Sequence, residues 1–139
     1  MIELVDHIGI AVESIEEAAP LYRDVLGLTF EGEEVVQAQG VKVAFFRAGE
    51  TLIELLEPIN DTGPVAKFLE RNGPGLHHLA LRCPDIKAGR DRCEAAGLRL
   101  LSDRPLDGAH GKLISFLHPK DTGRALIELT QRVDKSAGE

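Results

Sequence analysis

Polar and apolar residues alternate along Asp6-His7-Ile8-Gly9-Ile10-Ala11-Val12. Ile8, Ile10 and Val12 fall on one side and His7, Gly9 and Ala11 on the other, which predicts a strand. A different rhythm follows. Ser14 and Glu17 form an S-x-x-E capping box. Ile15, Ala18, Ala19, Tyr22, Val25 and Leu26 then recur at helical period. Pro20 lies inside that helix, where it removes a hydrogen bond and predicts a kink, and Gly27 stops it. Short strand-like runs come next, Val43-Ala44-Phe45-Phe46 and Leu52-Ile53-Glu54-Leu55-Leu56.

The same succession occurs twice. His77-His78-Leu79-Ala80-Leu81-Arg82-Cys83 matches the first strand 71 residues on, again with histidine in second place. Ile15 and Ile86 each lie eight residues past the histidine, and Gly27-Leu28 and Gly97-Leu98 each follow the helix. Ile114-Ser115-Phe116-Leu117 matches Val43-Ala44-Phe45-Phe46 at the same offset, and Gly123 to Leu129 matches Gly49 to Leu55 at an offset of 74. In the second copy Pro84 and Asp85 open the helix. Between the copies, Pro64 fits the first position of a linker helix that stops at Gly73. A unit of about 55 residues present twice is too long and too few for a stacked solenoid. The pattern predicts one α+β domain over 1–139, built from two similar modules. These are module one at about 2–58, the linker helix at about 62–73, and module two at about 75–132, with a frayed tail at 133–139.

Composition narrows the class without changing this picture. The chain has 139 residues, enough for one domain, and its 43% hydrophobic and 28% charged residues are those of an ordinary globular protein. No apolar run approaches the roughly 20 residues of a membrane span. Met1 to His7 lacks the basic start of a secretion signal. A net charge of −7 argues against nucleic acid as a partner. Two cysteines, Cys83 and Cys93, make no disulfide framework, so a cytoplasmic location with reduced thiols is expected. Aromatic residues make up 4% and tryptophan is absent, which leaves no stacking platform for bases.

The repeat gives weight to four residues. His7 and His78 occupy equivalent places in the first strand of each module, and Glu54 and Glu128 equivalent places in the last. Alone, each would read as an ordinary strand residue. Carboxylates inside apolar runs, recurring by pseudo-symmetry with two histidines, call for a cation. The mixed nitrogen and oxygen set suits one divalent ion with open positions: cobalt, manganese, nickel, iron or zinc. Among the other candidates, alternation turns His77 away from His78 and gives it a structural role. His110 and Lys112, in the loop Gly108-Ala109-His110-Gly111-Lys112, are candidates for touching a substrate. His118 reads as a hydrogen-bonded structural residue. Lys120 and Arg124 read mainly as solvated surface charges.

These segments carry a resemblance. The paired modules resemble the vicinal oxygen chelate superfamily, which includes glyoxalase, and within it the methylmalonyl-CoA epimerase family. The carrying residues are Asp6 to Val12, Pro74-Gly75-Leu76-His77-His78-Leu79-Ala80, Gly111-Lys112, Phe116-Leu117-His118-Pro119-Lys120 and Leu126-Ile127-Glu128-Leu129-Thr130-Gln131. The resemblance implies two βαβββ modules that form a curled mixed sheet around the metal, with His7, Glu54, His78 and Glu128 as ligands. It implies an isomerase that interconverts (2R)- and (2S)-methylmalonyl-CoA in propionyl-CoA metabolism, through C2 proton abstraction and a metal-stabilised enolate. An acyl-CoA thioester substrate and a homodimer are implied as well.

Inversion at C2 is most simply done by two bases, one on each face. Some family members place a glutamate after a Gln-Gly-Val segment and a glutamine where this chain has Glu54. Here Gln39-Gly40-Val41-Lys42 leads into Val43, and Glu54 is a carboxylate. Glu54 and Glu128 are therefore the expected pair of catalytic bases. Two other readings stand beside this one. The ligand set also allows glyoxalase I (lactoylglutathione lyase), and the fold also serves proteins that bind a small ligand without chemistry.

Overall fold

The last strand of each half is the element that the local sequence most needs to bury. Leu52-Ile53-Glu54-Leu55-Leu56 and Ile127-Glu128-Leu129 are apolar on both sides of a carboxylate, so each must be flanked by other strands rather than lie at a sheet edge. The computed structural model, which describes residues 1–133, shows how this is met. By contacts the chain divides into two units. One is Asp6–His78, and the other joins Met1–Val5 to the chain from Leu79 onward.

In the unit Asp6–His78, the strands are β1 (Leu4–Ala11, from Asp6 on), β2 (Thr29–Val36), β3 (Val41–Ala48) and β4 (Thr51–Pro58). Their order is β2-β3-β4-β1. β4 runs parallel to β1 and antiparallel to β3, so it is flanked on both sides. Parallel neighbours need a long crossover, and helix α1 (Ile15–Pro20) lies within it. Ser14 caps the helix, its Oγ accepting the Glu17 N–H at 3.2 Å. Pro20 changes the helix type. It has no N–H to return to Glu16, and the ladder reopens as a wide turn over Leu21–Val25, in which Leu26 N–H reaches back five residues to the Leu21 carbonyl. Gly27, at φ +72°, ends the segment. The α1 stripe packs Ile15 and Ala19 against Val12, Ala44, Phe46 and Leu55. Fully burying a side chain such as Phe46 contributes about 1.5–3 kcal/mol. Helix α2 (Pro64–Asn72) follows, with Pro64 at its first turn as expected.

The other unit repeats the plan with β5 (Gly75–Arg82, from Leu79 on), α3 (Ile86–Ala95), β6 (Leu106–Asp107), β7 (Leu113–Phe116) and β8 (Ile127–Gln131). Their order is β5-β8-β7-β6, with β8 parallel to β5 and antiparallel to β7. Asp85 caps α3 by accepting the Ala88 N–H. Cys83, Ile86, Cys93, Leu117 and Leu129 make the core, which explains two buried, unbridged cysteines. β6 is reduced to two residues because Ser102-Asp103-Arg104-Pro105 is turn chemistry, and Pro105 has no N–H for a ladder. A short 3₁₀ turn, Pro119–Asp121, lies between β7 and β8. The tail expected to fray falls almost wholly outside the described residues.

Register makes the repeat exact at the places that matter. Glu54 stands opposite Gly9 in β1 and Phe45 in β3. Glu128 stands opposite Ala80 in β5 and Phe116 in β7. Each carboxylate thus has a small residue on its parallel side and a phenylalanine on the other. The helix starts match too. Ile15 N–H donates to Glu57 Oε1 and Ile86 N–H donates to the Gln131 side-chain oxygen, both at 2.8 Å. In each case the last strand satisfies a helix donor that has no partner within the helix.

Candidate metal centre

β1 carries two ionisable residues side by side, and both are buried. Asp6 is 1% exposed and His7 5%. His7 Nδ1 lies 2.7 Å from Asp6 Oδ2. A carboxylate only accepts, so Nδ1–H donates and the Nε2 of a neutral His7 is left as a lone pair. Glu54 Oε2 stands 3.4 Å from the same Nδ1. Asp6, His7 and Glu54 each offer a ligand atom, and these lie within 4.8 Å of one another.

His78, near the middle of β5, approaches from the other side. Its Nε2 is 3.0 Å from His7 Nε2, with the rings edge to face. Gly9 makes this possible. A Cβ built there would press on the His78 ring, 2.8 Å from Nε2 and closer to two other ring atoms. Gly9→Ala is therefore expected to push His78 aside and lower affinity for divalent zinc by tenfold or more, as read by competition with a chromophoric chelator, while the fold's circular dichroism is retained.

His77 departs from the expectation of a residue turned away. Alternation does separate the Cβ atoms of neighbours in a strand, but a ring is long enough to reach around. His77 Nδ1 lies 2.9 Å from His78 Nδ1, and its ring meets Phe68 of α2 edge-on. Burial pushes the His77 imidazole down to about 4, so it is neutral near pH 7. His78 is also held well below its ordinary value, first by burial and then by the nearby His7 and His77.

In the other unit Glu128 is 2% exposed and holds the place in β8 that Glu54 holds in β4. Oε2 of each glutamate accepts no hydrogen bond. Lys112 is buried, and His110 is exposed at φ +58° on a three-residue turn, a left-handed conformation uncommon outside glycine. His118 serves the backbone, its Nδ1 accepting the Lys120 N–H at 3.2 Å. Lys120 is exposed.

The donor chemistry fits a divalent cation. Two imidazole nitrogens 3.0 Å apart need a proton or a cation between their lone pairs. Ligands at about 2.1 Å from one ion and at right angles are about 3.0 Å apart, the spacing that His7 and His78 have. The carboxylate behind His7 is the partner that metal-bound histidines usually keep. Asp6 is not among the four residues that the repeat singles out. Its signal was a charged residue at the repeat position of His77, immediately before each histidine.

A family model for the glyoxalase/bleomycin resistance protein/dioxygenase superfamily matches residues 6–116. The chain belongs to this superfamily. Among its relatives, the ethylmalonyl-CoA/methylmalonyl-CoA epimerase of Cereibacter sphaeroides is 44% identical over 133 residues, covering 94% of this chain and 99% of that one. The crystal structure of methylmalonyl-CoA epimerase from Mycobacterium tuberculosis superposes with a TM-score of 0.94 at 35% identity, covering 99% of this chain and 93% of that one. A variant of the Streptomyces coelicolor methylmalonyl-CoA epimerase in complex with 2-nitronate-propionyl-CoA gives 0.93 at 34% identity, covering 96% and 100%. The α+β glyoxalase fold implied by the resemblance is thus the fold of these relatives. Among the described residues, no helix is long and apolar enough to cross a membrane.

Proposed function

We propose that this chain is a metal-dependent methylmalonyl-CoA epimerase. The observation that carries the reading is the identity of 44% across nearly the whole length of a relative named for that activity. The buried histidines and carboxylates supply the chemistry. His7, Glu54, His78 and Glu128 would hold one divalent ion, cobalt foremost. When bound, the ion supplies Lewis-acid stabilisation of the negative charge that builds on the thioester oxygen as the C2 proton leaves. Glu54 and Glu128 are the bases. One takes the proton from one face of C2 and the other returns a proton to the opposite face. Their pseudo-equivalent registers favour such paired roles, since a racemising site must treat two mirror-related substrates alike. Lys112 and His110 are proposed to contact the substrate's anionic groups. The proposal includes a homodimer and a cytoplasmic location.

The test is isotope exchange. Metal-loaded protein in deuterium oxide is incubated with methylmalonyl-CoA and, separately, with methylglyoxal plus glutathione. Deuterium entering C2 is expected. Lactoylglutathione would mean glyoxalase I instead, and neither product would mean a binding protein.

A further inference from the structure

His7 and His78 are gripped at the same atom from the same relative position. Asp6 precedes His7 in β1 and lies 2.7 Å from its Nδ1. His77 precedes His78 in β5 and lies 2.9 Å from its Nδ1. The residues differ in chemistry, a carboxylate in one half and an imidazole in the other, but both can accept a proton's hydrogen bond. We propose that Asp6 and His77 are matched positioning residues, each holding Nδ1 of the histidine that follows so that Nε2 is presented to the ion. The inference rests on the metal reading of His7 and His78 given above.

The two grips are not equivalent. Asp6 can only accept, so the His7 proton sits on Nδ1 whether or not an ion is bound. His77 can accept or donate through Nδ1. Before an ion enters, the 3.0 Å approach of the two Nε2 atoms needs one proton. His7 keeps its proton at Nδ1, so His78 supplies the one at Nε2, and His78 Nδ1 then accepts from His77 Nδ1–H. With an ion held at its Nε2, the His78 ring would release that proton to solvent and take the Nδ1 proton of His77, which would regain one from solvent at Nε2. That ring then carries its proton on Nδ1 and donates it to His77 Nδ1, and His77 carries its own on Nε2. Each ring holds one proton before and after, so the balance closes without a proton being gained or lost. His77 is thus a tautomer switch for one ligand, and Asp6 a fixed clamp for the other. Gly9 and Phe68, which touch the His78 and His77 rings, keep both rings from turning out of line.

Long-range ¹⁵N–¹H spectra of the histidine rings, recorded while zinc is titrated into the whole protein, read this directly. His7 is expected to stay protonated at Nδ1, while His78 and His77 both exchange their protonated nitrogen. Zinc competition gives a second readout. Asp6→Ala and His77→Phe are each expected to weaken zinc binding by about 10- to 100-fold. Asp6→Asn and His77→Gln keep an acceptor oxygen and are expected to recover most of it. If wild-type protein binds zinc but His77 keeps its tautomer, or if the truncated variants bind zinc as tightly as wild type, the positioning roles are overturned. If wild-type protein binds no zinc, the metal reading itself fails, and these roles fail with it.

Discussion

His78→Ala is expected to remove zinc binding at micromolar metal and to lower epimerisation by about a thousandfold. The lost imidazole is half of the 3.0 Å nitrogen pair with His7. Losing a hydrogen-bond partner behind a ligand already costs about 10- to 100-fold in affinity, and losing the ligand costs more. Lewis-acid stabilisation of a developing oxyanion is worth several kcal/mol. At about 4 kcal/mol that is roughly a thousandfold in rate. The measurement pairs zinc competition with C2 exchange in deuterium oxide. A variant that retains full exchange with no bound metal would remove the ion from the reaction.

Glu54→Gln is expected to act on one stereoisomer only. The substitution keeps the shape of a buried side chain that is 3% exposed and leaves an oxygen for the ion, but it removes the proton acceptor. Exchange of the C2 proton from one isomer should fall by about 10²- to 10⁴-fold, the usual worth of a general base. Exchange from the other isomer should stay within a few-fold if Glu128 serves it as proposed. Glu128→Gln should show the reverse preference. Unchanged exchange of both isomers in Glu54→Gln would exclude this glutamate as a base.

The legible part of the site came from repetition rather than from any residue type. His7 and Glu54 are unremarkable strand residues until His78 and Glu128 recur at matching positions, and the strand registers then match as well. What escaped was of three kinds. Asp6 looked like a polar strand start, because alternation describes where a Cβ points and not whether a short carboxylate turns toward its neighbour's ring. His77 escaped for the same reason. Arg90 lies in α3 among polar residues, yet it is buried, donating to Ser115 Oγ at 2.7 Å and to the Ser102 carbonyl at 2.9 Å. Helical period cannot say when a long side chain reaches inward to a hydroxyl. The wide turn after Pro20 was foreseen only as a kink, since the missing N–H is visible in sequence but the form of the repair depends on which carbonyls lie within reach.

The 3₁₀ turn Pro119–Asp121 has a consequence for how the two halves came to differ. The repeat offset is 71 at Phe45 and Phe116 but 74 at Glu54 and Glu128, so the second half holds three more residues between these points. An odd number absorbed into either strand would turn every later side chain to the opposite face, Glu128 included. The turn is three residues long, is capped by His118, and is tied to the Arg99 guanidinium through Asp121 at 2.9 Å. The extra length is taken up outside the ladder, where it is phase-neutral. That corner holds the second half's extra length and its Leu117-His118-Pro119-Lys120 segment, while Glu128 keeps in β8 the register place that Glu54 has in β4.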